Sequence, residues 1–111
     1  MTEEKPDILQ RLAATIHERA AADADRSYTR TLLDGGPEKC AKKLAEEAAE
    51  TVIAAVSQDE KALTAEAADL LYHLLVVLEA RGVPFDAVLA ELDRRTGTSG
   101  LEEKAARNNG G

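Results

Sequence analysis

Leu70-Leu71-Tyr72-His73-Leu74-Leu75-Val76-Val77-Leu78 is apolar on nearly every helical face. A helix of that kind must be covered on several sides. The run lies inside a helical pattern that follows Asp59, a natural N-cap, and reaches about Arg81. Gly82 suits the position just past a helix end, and Pro84 stops continuation. A chain of 111 residues can bury one core, and with Phe85, Tyr28 and Tyr72 as its aromatics that core is thin. Part of the covering is therefore expected from a second copy, in a homodimer or higher homo-oligomer.

Outward from this run the rest of the chain also reads as helix. Ala and Leu dominate, a composition that favours helix over strand. Toward the N-terminus, a second helix from Pro37 to about Val56 carries Cys40, Ala41, Leu44, Ala48, Val52, Ile53 and Val56 at apolar positions. Ser57-Gln58-Asp59 breaks the two helices apart. The stretch from Asp23 to Pro37 reads as a loop, with room for one helical turn near Thr29 to Leu33. A first helix spans roughly residues 6 to 22, with Ile8, Leu9, Leu12, Ile16 and Ala20 at helical spacing. Toward the C-terminus, Pro84 opens a fourth helix with Phe85, Val88, Leu89 and Leu92, closed by Thr96-Gly97-Thr98. Ser99 and Glu102 have the spacing of a capping box, which places a last short helix at about 100 to 107. The fold class is all-α: four main helices plus a short C-terminal one, in a single domain over residues 1–111, with residues 1–5 and 108–111 frayed.

The bulk numbers narrow the function. A formal charge of −7 makes a poor surface for DNA or RNA, and a poor one for polyphosphate unless a metal inverts the local field. A lone cysteine, Cys40, excludes an internal disulfide framework or a CxxC site, and a reducing compartment is the simplest inference. The charged start Met1-Thr2-Glu3-Glu4-Lys5 lacks the apolar stretch of a secretory signal, and no run is long enough to span a membrane. A cytoplasmic location is expected, with neither nucleic acid nor membrane as partner.

The chemistry-bearing residues are acids. Glu47 and Glu50 are three apart on the second helix, with Glu46 one position round, and Glu66 and Asp69 are three apart on the third. Two short-linked helices pack antiparallel. Ala45, Ala48, Ala49, Ala54 and Ala55 on one side and Ala62, Ala65, Ala67 and Ala68 on the other permit close approach. All four acids could then meet between the helices. An isolated Glu-x-x-Glu reads as a solvated face. The second pair opens another reading, because Asp69 abuts the apolar run and Glu66 has no Lys or Arg four residues away. Oxygen-only ligands would suit Mg²⁺, with Mn²⁺ as substitute. The pattern alone leaves the solvated face and the metal site both open. His17 and His73 stand alone on helices, and His73 reads as a packed or interface histidine. Lys39 and Lys43 share a face, Lys43 and Glu47 have salt-bridge spacing, and Lys104 and Arg107 suit either the end of a helix dipole or a phosphate clamp with Ser99.

These segments together carry a resemblance. Glu47-Ala-Ala-Glu50, fifteen residues, then Glu66-Ala-Ala-Asp69 is similar to the ExxE…ExxD pattern of the MazG-like all-α nucleotide pyrophosphohydrolases. Over residues 8 to 107 the chain resembles more narrowly the phosphoribosyl-ATP pyrophosphohydrolase family. The matching segments are Ser27-Tyr28-Thr29, Gly36…Lys39…Lys43, Glu46-Glu47-Ala-Ala-Glu50, Glu66-Ala-Ala-Asp69-Leu-Leu-Tyr72-His73-Leu, Val88…Glu91-Leu92…Arg95 and Ser99-Gly100…Glu103-Lys104…Arg107. The resemblance implies hydrolysis of the α–β phosphoanhydride of phosphoribosyl-ATP, a small-molecule nucleotide, to phosphoribosyl-AMP and pyrophosphate. This is the second step of histidine biosynthesis. It implies Glu47, Glu50, Glu66 and Asp69 as metal ligands, with Glu46 and Glu47 as candidate catalytic acids. Lys39, Lys43, Lys104, Arg107, Ser27, Tyr28, Thr29 and Ser99 become candidate substrate contacts. The family is often fused to a cyclohydrolase, for which this chain has no room, so a free-standing form is expected. Two other readings stand beside this one. One is a house-cleaning hydrolase of non-standard nucleoside triphosphates, which would share the four acids. The other is a non-enzymatic helical dimerisation module.

Overall fold

A computed structural model describes residues 7–21 and 27–96, and all of its regular structure there is helical. Five helices follow one another: α1 (Ile8–Ala21), α2 (Tyr28–Asp34), α3 (Gly36–Ser57), α4 (Glu60–Ala80) and α5 (Phe85–Thr96). The all-α reading holds, and α1, α3, α4 and α5 fall within two residues of the expected limits. The last short helix and the frayed ends expected from the sequence lie outside the described residues.

The stretch before Pro37 holds more than the one helical turn expected near Thr29 to Leu33. It contains α2, seven residues long, capped by Ser27, whose hydroxyl accepts the Arg30 backbone N–H at 3.2 Å. Thr29 and Thr31 are weak helix formers, so local propensity marks only a turn here. Packing fixes it instead, because Thr29 and Leu32 are both buried. Gly36, at φ +84°, turns the chain from α2 into α3, a conformation that residues with a Cβ rarely adopt. Pro37 then opens α3.

Local signals set the other ends as expected. The Asp59 carboxylate accepts the Ala62 N–H at 2.9 Å and starts α4. Gly82, at φ +70°, ends it. There the Gly82 N–H donates to the Glu79 carbonyl at 3.0 Å and the Val83 N–H to the Leu78 carbonyl at 2.9 Å, the paired bonds of a Schellman motif.

The longest helices, α3 and α4, pair most extensively, and a link of Gln58 and Asp59 obliges them to run antiparallel. The core lies toward the far end of this hairpin, where Ile16 of α1, Leu32 of α2, Cys40 of α3 and Leu75 and Val76 of α4 are buried together. Leu9, Leu12, Leu33, Tyr72, Leu78 and Phe85 pack round them. Much of the covering that the Leu70–Leu78 run requires is thus supplied within one chain, and Leu71, 43% exposed, is its main uncovered member. The apolar pattern of α3 divides along its length. Cys40 and Ala54 are buried and Leu44 and Ala48 half-buried, whereas Val52, Ile53 and Val56 stay exposed. No helix among the described residues is long and apolar enough to cross a membrane.

Candidate metal centre

The site is built on the α3–α4 seam. Of the alanines on these helices, Ala54 is buried and Ala48, Ala62 and Ala67 are half-buried; Ala45, Ala49, Ala55, Ala65 and Ala68 are exposed. Thr51 ties the two backbones at this level. Its hydroxyl lies 2.7 Å from the Glu47 carbonyl on its own helix and 3.2 Å from the Glu66 carbonyl on α4. Sequence reasoning passed over Thr51. The available signal was a hydroxyl residue four positions after Glu47 in an alanine-rich helix, where it can bond the carbonyl one turn back.

Round this tie the acids converge. Glu47, Glu66 and Asp69 offer carboxylate oxygens that all lie within 4.8 Å of one another. Glu50 stands beside this group, close enough that it raises the carboxyls of both Glu47 and Glu66. Glu47 and Glu66 are half-buried, and Glu50 and Asp69 lie at the exposed side. Burial raises the Glu47 carboxyl above its ordinary range, helped by Glu50 and Asp69 and opposed by His73. Burial and Glu50 raise Glu66 in the same way. One oxygen of each, Oε2, is buried and meets no hydrogen-bond donor. Two buried, unpartnered oxygens among four acids are costly as they stand. A hard divalent cation removes that cost, and an all-carboxylate donor set is the kind that Mg²⁺ and Mn²⁺ take. The residues present therefore fit a metal.

Glu46 stands outside this group. Its carboxylate pairs with Lys43 at 3.2 Å, and that contact holds the Lys43 ammonium pKa above its ordinary value. The i,i+4 pairing of Lys43 with Glu47 expected from spacing is replaced by this i,i+3 pair. Lys39 is exposed, and its aliphatic stem lies over Gly35, where a Cβ would fall 2.1 Å from its Cδ.

The N-terminal turn of α2 meets α4 one turn beyond Asp69. Ser27 caps that turn, and Tyr28 is 53% exposed while its hydroxyl lies 3.2 Å from His73 Nε2. Thr29 is buried, its hydroxyl bonded to that of Tyr72. His73 is buried and its Nδ1 lies 2.8 Å from the Asp69 carbonyl oxygen, which agrees with its reading as a packed histidine. Ser99, Lys104 and Arg107 lie outside the described residues.

Comparison with known proteins gives a consistent answer. Residues 9–96 match the family described as phosphoribosyl-ATP pyrophosphohydrolase. The chain is 61% identical over 99 residues to the phosphoribosyl-ATP pyrophosphatase of Rhodobacter capsulatus, covering 89% of this chain and 96% of that one. It is 58% identical over 100 residues to the phosphoribosyl-ATP pyrophosphatase of Cereibacter sphaeroides, covering 90% and 97%. It is 62% identical over 96 residues to phosphoribosyl-ATP pyrophosphatase 1 of Bradyrhizobium diazoefficiens, covering 86% and 91%.

Proposed function

The chain belongs to the phosphoribosyl-ATP pyrophosphohydrolase family, and we propose that it hydrolyses the α–β phosphoanhydride of phosphoribosyl-ATP, the second step of histidine biosynthesis. One water is consumed, the bridging P–O bond breaks, and phosphoribosyl-AMP and pyrophosphate leave. The observation that carries this reading is the acid group, Glu47, Glu66 and Asp69 with Glu50 beside them, in a chain that matches the family over residues 9–96.

Glu47, Glu50, Glu66 and Asp69 would hold Mg²⁺, and Mn²⁺ suits the same donors. The cation supplies charge neutralisation for the phosphates and makes water more acidic. Phosphoryl transfer asks mainly for positioning and electrostatic stabilisation, so the protein needs no nucleophile of its own. Glu47 would orient water at the seam, and Glu46, through its pair with Lys43, would position that lysine for the substrate. Lys39 and Lys43 with Ser27 and Tyr28 would be the substrate contacts on the α2 side. Thr29 acts through Tyr72, since its own side chain is buried. Ser99, Lys104 and Arg107 are the remaining proposed phosphate contacts. The apolar side chains left open on α3 support a homo-oligomeric assembly.

A panel of phosphoribosyl-ATP, ATP, dCTP and dUTP, each with Mg²⁺ and read by pyrophosphate release, tests this. Phosphoribosyl-ATP is expected to turn over fastest, with loss of activity in chelator. Equal or faster turnover of an ordinary nucleoside triphosphate overturns the assignment of substrate.

A further inference from the structure

Two adjacent residues of α2 meet two adjacent residues of α4 through polar atoms. Tyr28 reaches His73 at 3.2 Å, and Thr29 reaches the Tyr72 hydroxyl. The rings interlock as well. Tyr28 and Tyr72 stack with centroids 6.2 Å apart at 19°, and His73 stands edge-on to both, at 77° and 88°.

The histidine also reaches back to the acid site. Its Nδ1 faces the Asp69 carbonyl oxygen at 2.8 Å, and a carbonyl has no proton to give, so Nδ1 carries the hydrogen. In the neutral ring Nε2 is then an acceptor, and the Tyr28 hydroxyl donates to it. A continuous chain of polar contacts runs from the first turn of α2 through His73 to the backbone of Asp69. Asp69 and His73 are four residues apart and share one face of α4.

We propose that His73 and Tyr28 are a positioning pair for the hydrolysis reaction: they fix the substrate-facing turn of α2 relative to the acid-bearing turn of α4. The proposal rests on the function read above. An apolar residue at 73 would fill the same space, and burying a polar ring there is costly unless both nitrogens are partnered. The two bonds make that ring directional. Apolar burial is non-directional, whereas a bonded ring fixes both distance and bearing. Misplacement of about 1 Å at a remote support can cost roughly a hundred-fold in rate. Tyr28 has its outer face open to a substrate while its hydroxyl is held from within.

The test uses steady-state kinetics on phosphoribosyl-ATP with saturating Mg²⁺, beside Mn²⁺ affinity and helix content measured without substrate. The variants are Tyr28→Phe, His73→Asn, His73→Gln and the Tyr28→Phe/His73→Asn double. Asparagine keeps a donor near the Nδ1 position, so it can bond the Asp69 carbonyl but cannot reach Tyr28. Glutamine places its amide near the Nε2 position and can reach Tyr28. Tyr28→Phe and His73→Asn are each expected to lower kcat/KM about ten-fold, the size of one lost buried hydrogen bond. The double should fall no further than the worse single, and His73→Gln should recover most of the loss. Mn²⁺ affinity and helix content should stay within two-fold of the unmodified protein. Single variants with unchanged kcat/KM, multiplying losses in the double, or Mn²⁺ affinity falling in step with kcat/KM each overturn the proposal. No pyrophosphate release by the unmodified protein overturns the assigned reaction itself, a separate result.

Discussion

Glu47 and Glu66 each bury one carboxylate oxygen in the α3–α4 seam with no protein donor to meet it. Burial first, then Glu50, with a smaller push from Asp69, raises both carboxyls, against a lowering contact from Glu47 on Glu66 and from His73 on Glu47. A raised acid holds its proton in the folded chain at pH values where the unfolded chain has lost it. The contribution of these two acids to stability without metal is therefore fully present below the ordinary value of 4.5 and is lost as pH climbs from there through the raised range. In chelator the thermal midpoint should show that fall, and Glu47→Gln should flatten it and raise the midpoint at neutral pH. With Mg²⁺ the order reverses. Glu47→Gln, Glu50→Gln, Glu66→Gln and Asp69→Asn should each greatly reduce pyrophosphate release at unchanged far-ultraviolet circular dichroism. Full turnover in two of the four would remove the metal role. Both acid pairs were legible because three-residue spacing on a helix implies a shared face. Thr51, which ties the helices beneath them, was not, because its partner carbonyl on α4 is fifteen residues away.

The helices show where local chemistry decides and where it does not. Asp59 and Gly82 bound α4 by mechanisms that need no tertiary contact: a side-chain cap and a backbone at φ +70°. Asp59→Ala should cost about 1 kcal/mol in urea denaturation. Gly82→Ala should cost about 1–2 kcal/mol, from Cβ strain in the left-handed region, since no neighbouring atom lies within 4 Å of the added methyl. A loss near zero for Gly82→Ala would mean that α4 can end in another conformation. Helix α2 is the opposite case. Its seven residues, two of them threonine, announce no more than the turn expected near Thr29 to Leu33, and the helix is held by burial of Thr29 and Leu32 and by the bonds to Tyr72 and His73.

Assembly is the level at which the apolar surface must be accounted for. Val56 is 80% exposed, Val52 62% and Ile53 51%, and they lie within five residues at the end of α3 distant from the core. Apolar side chains grouped in this way mark a surface that associates. Sedimentation at micromolar concentration should show a dimer or larger species, and Val52→Glu/Val56→Glu should shift it toward monomer with helix content retained. A folded monomer of the unmodified chain would remove the oligomer. The all-helical class, the helix limits at Asp59 and Gly82, and the two acid pairs were readable from the chain because each depends on residues within a turn or two of one another. The acids were readable as pairs, but their meeting is a property of the α3–α4 crossing. Glu46 stays outside that meeting and pairs along its own helix with Lys43. The covering of Leu70–Leu78 by the chain's own α1 and α2, and the bonding of Tyr28 to His73 across 45 positions, also depend on the assembled fold. Periodicity states which face of a helix is apolar; which partner covers it is set by how all the helices pack together.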